Sequence, residues 1–364
     1  MRLRYLYILA FFSLVSCVEL YDPGLTSDTK RLVVESLITT KDDYQYVYLT
    51  YDAAYNSEEN IFKNLVIKAK VSVTDDKGNS YEFFDEIAPN NQIKTSAGYN
   101  YRSVNKFKAV VGRTYTLHVE TVDGKKYVSK PELALPVVPI TTAYYEFQAL
   151  VPPNKYKGQF NVFIDTKDPA GQTNYYRWDA FHVKEQLYCR EWYIYGSGGS
   201  VTQAFVDKCC GPCYDLVACE DCYALGNDRF TDGNTIKKQF IGTVPFDNTT
   251  KYYMQINQYS MTESAYKFWE TVRQQSKNSG GLFDATPKSI KGNLQSVDNP
   301  KEEVLGYFGV SDVSEYYLNV NRNISNPKPI IVEEYSIGFT KTTECYPCQE
   351  SYSRKRTPPP GWNY

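Results

Sequence analysis

Between Val66 and Thr74 the chain reads VIKAKVSVT, an alternation in which Ile67, Ala69, Val71 and Val73 oppose Val66, Lys68, Lys70 and Ser72. Period two puts successive side chains on opposite faces of a strand, so one face is suited to a core and the other to water. The pattern recurs. Arg31–Thr39 and Tyr44–Tyr51 read as strands, Asp75–Asn79 as a turn, and Tyr81–Phe84 as the return strand of a hairpin. Thr114–Thr121 and Lys125–Ser129 form a second hairpin across Val122-Asp-Gly124. The composition includes 34 Tyr and 18 Phe but 3 Met, which suits sheets better than helical bundles. Short strands at this spacing predict an immunoglobulin-like β-sandwich over residues 31–135.

Lys130–Ile140 contains Pro131, Pro136 and Pro139 and reads as a stiff linker or crossover. A larger β-rich domain is expected over 141–364, with strands at Gly158–Asp165, Asn174–Lys184, Tyr188–Tyr195, Lys237–Thr243, Lys251–Tyr259 and within Val304–Asn321. Thr262–Lys277 is the one amphipathic helix: Thr262 can cap it, and Ala265, Phe268, Trp269 and Val272 share a face. Residues 196–234 combine a Gly-Ser stretch with five cysteines and are expected to form a stapled loop. The fold class is therefore mainly β.

At the N-terminus, Arg2 and Arg4 precede the apolar run Tyr5–Val15, too short to span a bilayer but suited to a signal-peptide core. The run ends in Leu14-Val15-Ser16-Cys17, a bacterial lipobox pattern. Residues 1–16 are expected to be a lipoprotein signal peptide, Cys17 the acylated (palmitate-bearing) residue, and 17–30 a lipidated tether. Attachment would be by lipid alone, since each buried methylene contributes roughly 0.8 kcal/mol and two or three chains hold firmly. No Asp follows Cys17 directly, and Glu19 and Asp22 lie close by. This favours the outer membrane, facing the cell surface.

Setting Cys17 aside leaves eight cysteines: Cys189, Cys209, Cys210, Cys213, Cys219, Cys222, Cys345 and Cys348. An even count in an exported chain reads as disulfides. Cys210-Gly-Pro-Cys213 matches the thioredoxin redox motif, but that chemistry needs a thiol at a helix N-terminus, and no helical pattern follows. Only five residues separate Cys213 from Cys219, whereas zinc ribbons place about 15 to 20 between their pairs. A structural knot is the expectation, with no resident metal or cofactor.

Catalytic signals are sparse. The chain has two histidines, His118 and His182, each in a strand pattern, and neither Gly-x-Ser-x-Gly nor His-Glu-x-x-His occurs. Asp75-Asp76, Glu302-Glu303 and Glu333-Glu334 are adjacent, so on a strand each pair points to opposite faces. Asp165, Asp168, Asp228 and Asp232 offer calcium-type ligands without the regular loop spacing. A net charge of -2 argues against a nucleic-acid partner. No catalytic residue is assigned.

Several collinear segments carry a resemblance: Cys17-Val-Glu-Leu-Tyr-Asp22, Leu32–Thr39, Val111–His118, Asp123–Tyr127 and Leu135–Ile140. They continue through Asn174–Trp178, Tyr266 with Phe268-Trp269, Gly281–Asp284, Lys291-Gly-Asn293, Val304–Phe308, Cys345-x-x-Cys348 and Trp362. On these residues the chain resembles the outer-membrane lipoproteins of the Bacteroidetes, a large domain-of-unknown-function family encoded beside TonB-dependent receptors. The resemblance implies a non-catalytic binding or accessory subunit of a TonB-dependent nutrient import system, with a TonB-dependent receptor as partner and a nutrient as ligand. The other readings are an envelope enzyme (a hydrolase, or a thiol oxidoreductase at Cys210 and Cys213) and a structural or adhesion lipoprotein.

Overall fold

The computed structural model describes residues 30–52, 64–86, 99–187, 192–195, 201–204, 212–219, 222–247, 252–276, 290–324, 354–359 and 362. The signal peptide, Cys17, the tether up to residue 29, Cys189, Cys209, Cys210, Cys345, Cys348 and the Glu333-Glu334 pair lie outside them. Cys213 is described only as a position in a strand.

The first strands are β1 (Leu32–Thr39), β2 (Tyr46–Tyr51), β3 (Lys70–Asp75), β4 (Ser80–Asp85), β5 (Tyr101–Ser103), β6 (Thr114–Glu120), β7 (Lys126–Ser129) and β8 (Glu132–Leu133). Next come β9 (Ile140–Ala149), β10 (Gly158–Lys167), β11 (Tyr175–Leu187), β12 (Trp192–Tyr195), β13 (Val201–Ala204), β14 (Pro212–Ala218), β15 (Ala224–Asn227), β16 (Thr235–Pro245) and β17 (Tyr252–Met261). The helix α1 (Glu263–Ser276) precedes β18 (Leu294–Ser296), β19 (Leu305–Ser311), β20 (Val313–Val320) and β21 (Arg354–Lys355). Among the described residues no helix is long and apolar enough to cross a membrane. The chain is mainly β, as its patterning implies.

Strand pairing runs unbroken along the path β18-β7-β6-β3-β4-β5-β2-β1-β19, with β8 beside β6. This path curls into a nearly closed, barrel-like sheet and does not divide into the two facing sheets expected of an immunoglobulin-like sandwich. Alternate residues fill its interior: Leu32, Val34 and Ile38 of β1, Val71 and Val73 of β3, and Tyr115, Leu117 and Val119 of β6 are all buried.

The two strands at the ends of this path, β18 and β19, come from the far end of the chain. β19 lies parallel to β1, with Val34 opposite Gly306 and Ser36 opposite Phe308. Between β18 and β19 the side chain of Asn293 substitutes for a strand pair. Its Nδ2 donates to the Phe308 carbonyl (2.8 Å), and the Phe308 N–H donates to its Oδ1 (2.9 Å). Gly306 permits the close approach: its φ is +85°, and a Cβ there would overlap the Val34 carbonyl.

Two sequence expectations shift in register. The alternation from Val66 breaks at Lys68, whose φ is +56°. The Lys68 N–H donates to Asp85 Oδ2 (2.8 Å) and the Ala69 N–H to the Tyr101 hydroxyl (2.9 Å), so side chains replace a neighbouring strand. Val66 is consequently buried and Ile67 exposed, and β3 begins only at Lys70. The strand expected within Val304–Asn321 is divided into two, β19 and β20. β19 ends in the barrel-like sheet and β20 joins another, with Asp312 at the crossing, accepting from the Thr40 hydroxyl and the Val137 N–H.

The second region has a three-stranded sheet, β16-β10-β9, and a six-stranded one, β20-β17-β11-β14-β21 with β15 beside β11. They share a core of Phe160, Val162, Ile164, Val244 and Phe246 with Trp178, Ala180, Met254 and Ile256. Trp178 is fully buried and donates its indole N–H to Gln258 Oε1 (2.7 Å); Gln258 Nε2 in turn donates to the Val138 carbonyl (2.7 Å). The Pro-rich segment is thus pinned to the sheet, and Ser260 Oγ also donates to the Leu135 carbonyl (2.6 Å). Part of the expected loop 196–234 is sheet, since β13, β14 and β15 fall inside it.

Candidate functional site

β11 alternates Tyr176, Trp178 and Ala180 into the shared core, which leaves Arg177, Asp179 and Phe181 on its other face. Antiparallel register sets Tyr259 of β17 opposite Arg177, and Asn257 opposite Asp179. This face looks onto the barrel-like sheet, where Glu35, Leu37 and Thr39 alternate outward from β1 beside Gly309–Ser311 of β19. Helix α1 closes one side with Ala265 and Trp269. The Thr262 hydroxyl caps α1, accepting the Ala265 N–H (3.2 Å), and Phe268 anchors it by burial. These elements enclose a cavity of about 360 Å³.

Arg177 is its centre. The guanidinium carbon lies 5.0 Å from the Tyr223 ring centroid, 5.6 Å from that of Trp269 and 5.7 Å from that of Tyr259. Ring faces attract a cation at such distances. The ion pair with Asp179 is long, 3.5 Å from Nη2 to Oδ2, and the two side chains keep 19% and 22% of their surface accessible. Asp179 Oδ1 accepts from Asn257 Nδ2 (2.8 Å) and the Tyr259 hydroxyl (3.3 Å). Arg177 Nε and the Tyr223 hydroxyl are buried without a hydrogen-bond partner.

Burial opposes the charge on Arg177, but Asp179 and the surrounding tyrosines outweigh it and raise its pKa, so it stays a cation. Burial pushes the Asp179 carboxyl up, with Arg177, Asn257 and Tyr259 pulling against it. Burial likewise holds Tyr223 up at about 12 and Tyr259 well above the ordinary phenol value. The site therefore offers a fixed cation with an unused donor, between aromatic walls. That is an arrangement for binding an acceptor group.

Of the residues that the sequence singled out, Ala265 and Trp269 of the helix face line this cavity, whereas among the described residues none of the cysteines, histidines or clustered acids named above does. The Sγ atoms of Cys219 and Cys222 are within bonding reach of each other, with Cα atoms 5.1 Å apart. Ligand atoms of His182, Cys219 and Cys222 all lie within 4.8 Å of one another. The His182 ring meets that of Tyr252 edge-on at 5.3 Å, while His118 Nε2 is 2.9 Å from the Thr74 hydroxyl. Asp168, Asp228 and Asp232 converge to within 4.8 Å. Asp168 accepts from the Tyr176 hydroxyl (2.6 Å), Asp228 from the Asn174 N–H (2.7 Å) and Asp232 from the Gly171 N–H (2.8 Å). Asp165 instead accepts from the Lys238 N–H and the Tyr144 hydroxyl.

The adjacent acids are used in the framework. Asp75 and Asp76 both pair with Arg113, Glu302 accepts from the Tyr127 hydroxyl, and Glu303 pairs with Arg31. Sequence reasoning missed Arg177, Asp179 and Glu35 as a group. A signal was present: opposite charges two residues apart on one face of a strand whose other face is apolar.

The comparison with curated proteins finds no match. A family model described as Domain of unknown function (DUF4249) matches residues 18–317. That span covers most of the chain, including helix α1 and the strands β1, β11, β17 and β19 that line the cavity, and the chain belongs to this family.

Proposed function

We propose that this chain is a non-catalytic binding lipoprotein, anchored through Cys17 to the outer membrane of a Bacteroidetes cell and accessory to a TonB-dependent nutrient importer. The observation that carries the binding reading is the cavity of about 360 Å³ whose central cation, Arg177, keeps a buried donor unused. Its walls come from both β-rich regions and the helix, so a bound ligand would be held between elements remote in sequence. In this reading the barrel-like sheet stands next to the tether as a spacer, and the second region meets the receptor. The lipobox at Leu14–Cys17 supports the anchor, and the family resemblance supports the importer.

Affinity capture of the anchored full chain from native membranes tests the accessory role. Recovery of a β-barrel receptor at native expression is the expected result, and its absence overturns that role. Cys17→Ser should release a folded, soluble protein; continued membrane attachment would refute the anchor.

A further inference from the structure

Resting on this binding reading, we propose that the cavity over Arg177 receives a small zwitterion, with a carboxylate on the guanidinium, a protonated amine toward Glu35 and an apolar body between the aromatic walls. The charged residues lining the cavity are Glu35, Arg177 and Asp179, and they differ in what they have left to offer. Asp179 is engaged on both oxygens, by Asn257 and Tyr259 on one and by Arg177 on the other. Glu35 stands exposed on β1, and its carboxylate makes no hydrogen bond or ion pair among the described residues. Arg177 Nε–H is buried without an acceptor. The groups left for a ligand are thus one donor cation and one acceptor anion.

Charge balance then chooses between ligand classes. A bare anion would gain Arg177 but sit among two carboxylates. A bare cation would gain Glu35 but meet a guanidinium that Asp179 and the tyrosines keep charged. Like charges brought together in a partly enclosed site repel more strongly than in water, so each single-sign ligand loses part of what it gains. A molecule bearing both signs meets a complement at each end. Phe181, Tyr259 and Trp269 supply apolar surface for its body. The volume, about 360 Å³, lies at the small end of ligand pockets, which run from roughly 300 to 1,000 Å³, and so admits a small molecule and not a folded partner.

Calorimetric titration of the full chain in detergent with four probes tests this. L-Phenylalanine and L-alanyl-L-phenylalanine carry both charges at different separations, L-phenylalaninamide lacks the carboxylate, and 3-phenylpropanoate lacks the amine. The better zwitterion should bind about tenfold or more tightly than either single-sign analogue, the scale of one charged hydrogen bond. Glu35→Gln, at an exposed position, should abolish the advantage over 3-phenylpropanoate while leaving that over the amide. Arg177→Lys, in protein whose melting is unchanged, should reduce the advantage over the amide.

Failure of both zwitterions to bind, equal binding of the amide, or a Glu35→Gln protein that still discriminates would overturn the proposal. If the probes fail while a receptor is still captured, the ligand class falls and the accessory role stands. If the probes bind and no receptor is captured, the reverse holds.

Discussion

Two buried polar clusters flank the junction between the sheets, and they are finished to different degrees. At the seam of the barrel-like sheet, Glu132 accepts from the Tyr307 hydroxyl (2.6 Å), the Thr262 hydroxyl (2.9 Å) and Asn293 Nδ2 (3.1 Å). Asn293 in turn completes the Phe308 backbone. At the cavity, Arg177 has one long ion pair and three aromatic neighbours, and its Nε has no acceptor. A saturated buried network fixes the fold, because any loss leaves a desolvated group unpaired. An unsaturated one beside a cavity has something left for a ligand. The difference separates framework from site.

The largest effect should come from the seam's backbone. Gly306→Ala sets a Cβ against the Val34 carbonyl at a φ of +85°, and neither backbone can retreat without breaking the β1–β19 pairing. A loss above about 4 kcal/mol, read as failure to fold by circular dichroism, is expected. Asn293→Ala removes both bonds to Phe308 and one to Glu132, at a cost of about 3 kcal/mol by urea denaturation.

Arg177→Met should be milder, about 1–2 kcal/mol, since its single ion pair is long and partly exposed. If it costs as much as Asn293→Ala, Arg177 is framework and the contrast between the clusters collapses.

The smallest effect concerns pH. Burial holds the Glu132 carboxyl above its ordinary value of 4.5, against the pull of Tyr307, Thr262 and Asn293. The folded state therefore binds this proton more tightly than the unfolded state. Its contribution to stability is fully present below 4.5 and is lost as pH rises through the folded value. Glu132→Gln, which cannot titrate, should gain stability relative to the parent between about pH 4 and pH 7. Urea melts at the two pH values give the sign, and no relative gain would mean that the three donors dominate over burial.

Local strand identity was legible in the sequence because a period of two survives whatever the strand packs against. β1, β2, β4, β6, β7, β10, β11 and β17 fall where alternation and turn residues place them, within a few residues at their ends. Helix α1 was legible from Thr262 and its apolar face. The break at Lys68 was not, because its cause is Asp85 and Tyr101, which only the fold brings near. The split of Val304–Asn321 was hidden for the same reason: Asp312 turns the chain through contacts with Thr40 and Val137.

For the site, the sequence alone determined that Arg177 and Asp179 share one face of a strand, since residues two apart always do. It also determined that Trp178 faces the other way. What only the tertiary structure decided is that β1 and β19 stand across from that face, that Tyr223, Tyr259 and Trp269 gather around Arg177, and that Arg177 Nε is left without an acceptor. The physical reason is one of range. Backbone periodicity is written between neighbours in sequence, whereas burial, ring contacts and the matching of buried donors arise between groups remote in sequence, as Arg177 is from Tyr223, Trp269 and Glu35, which the chain's order does not express.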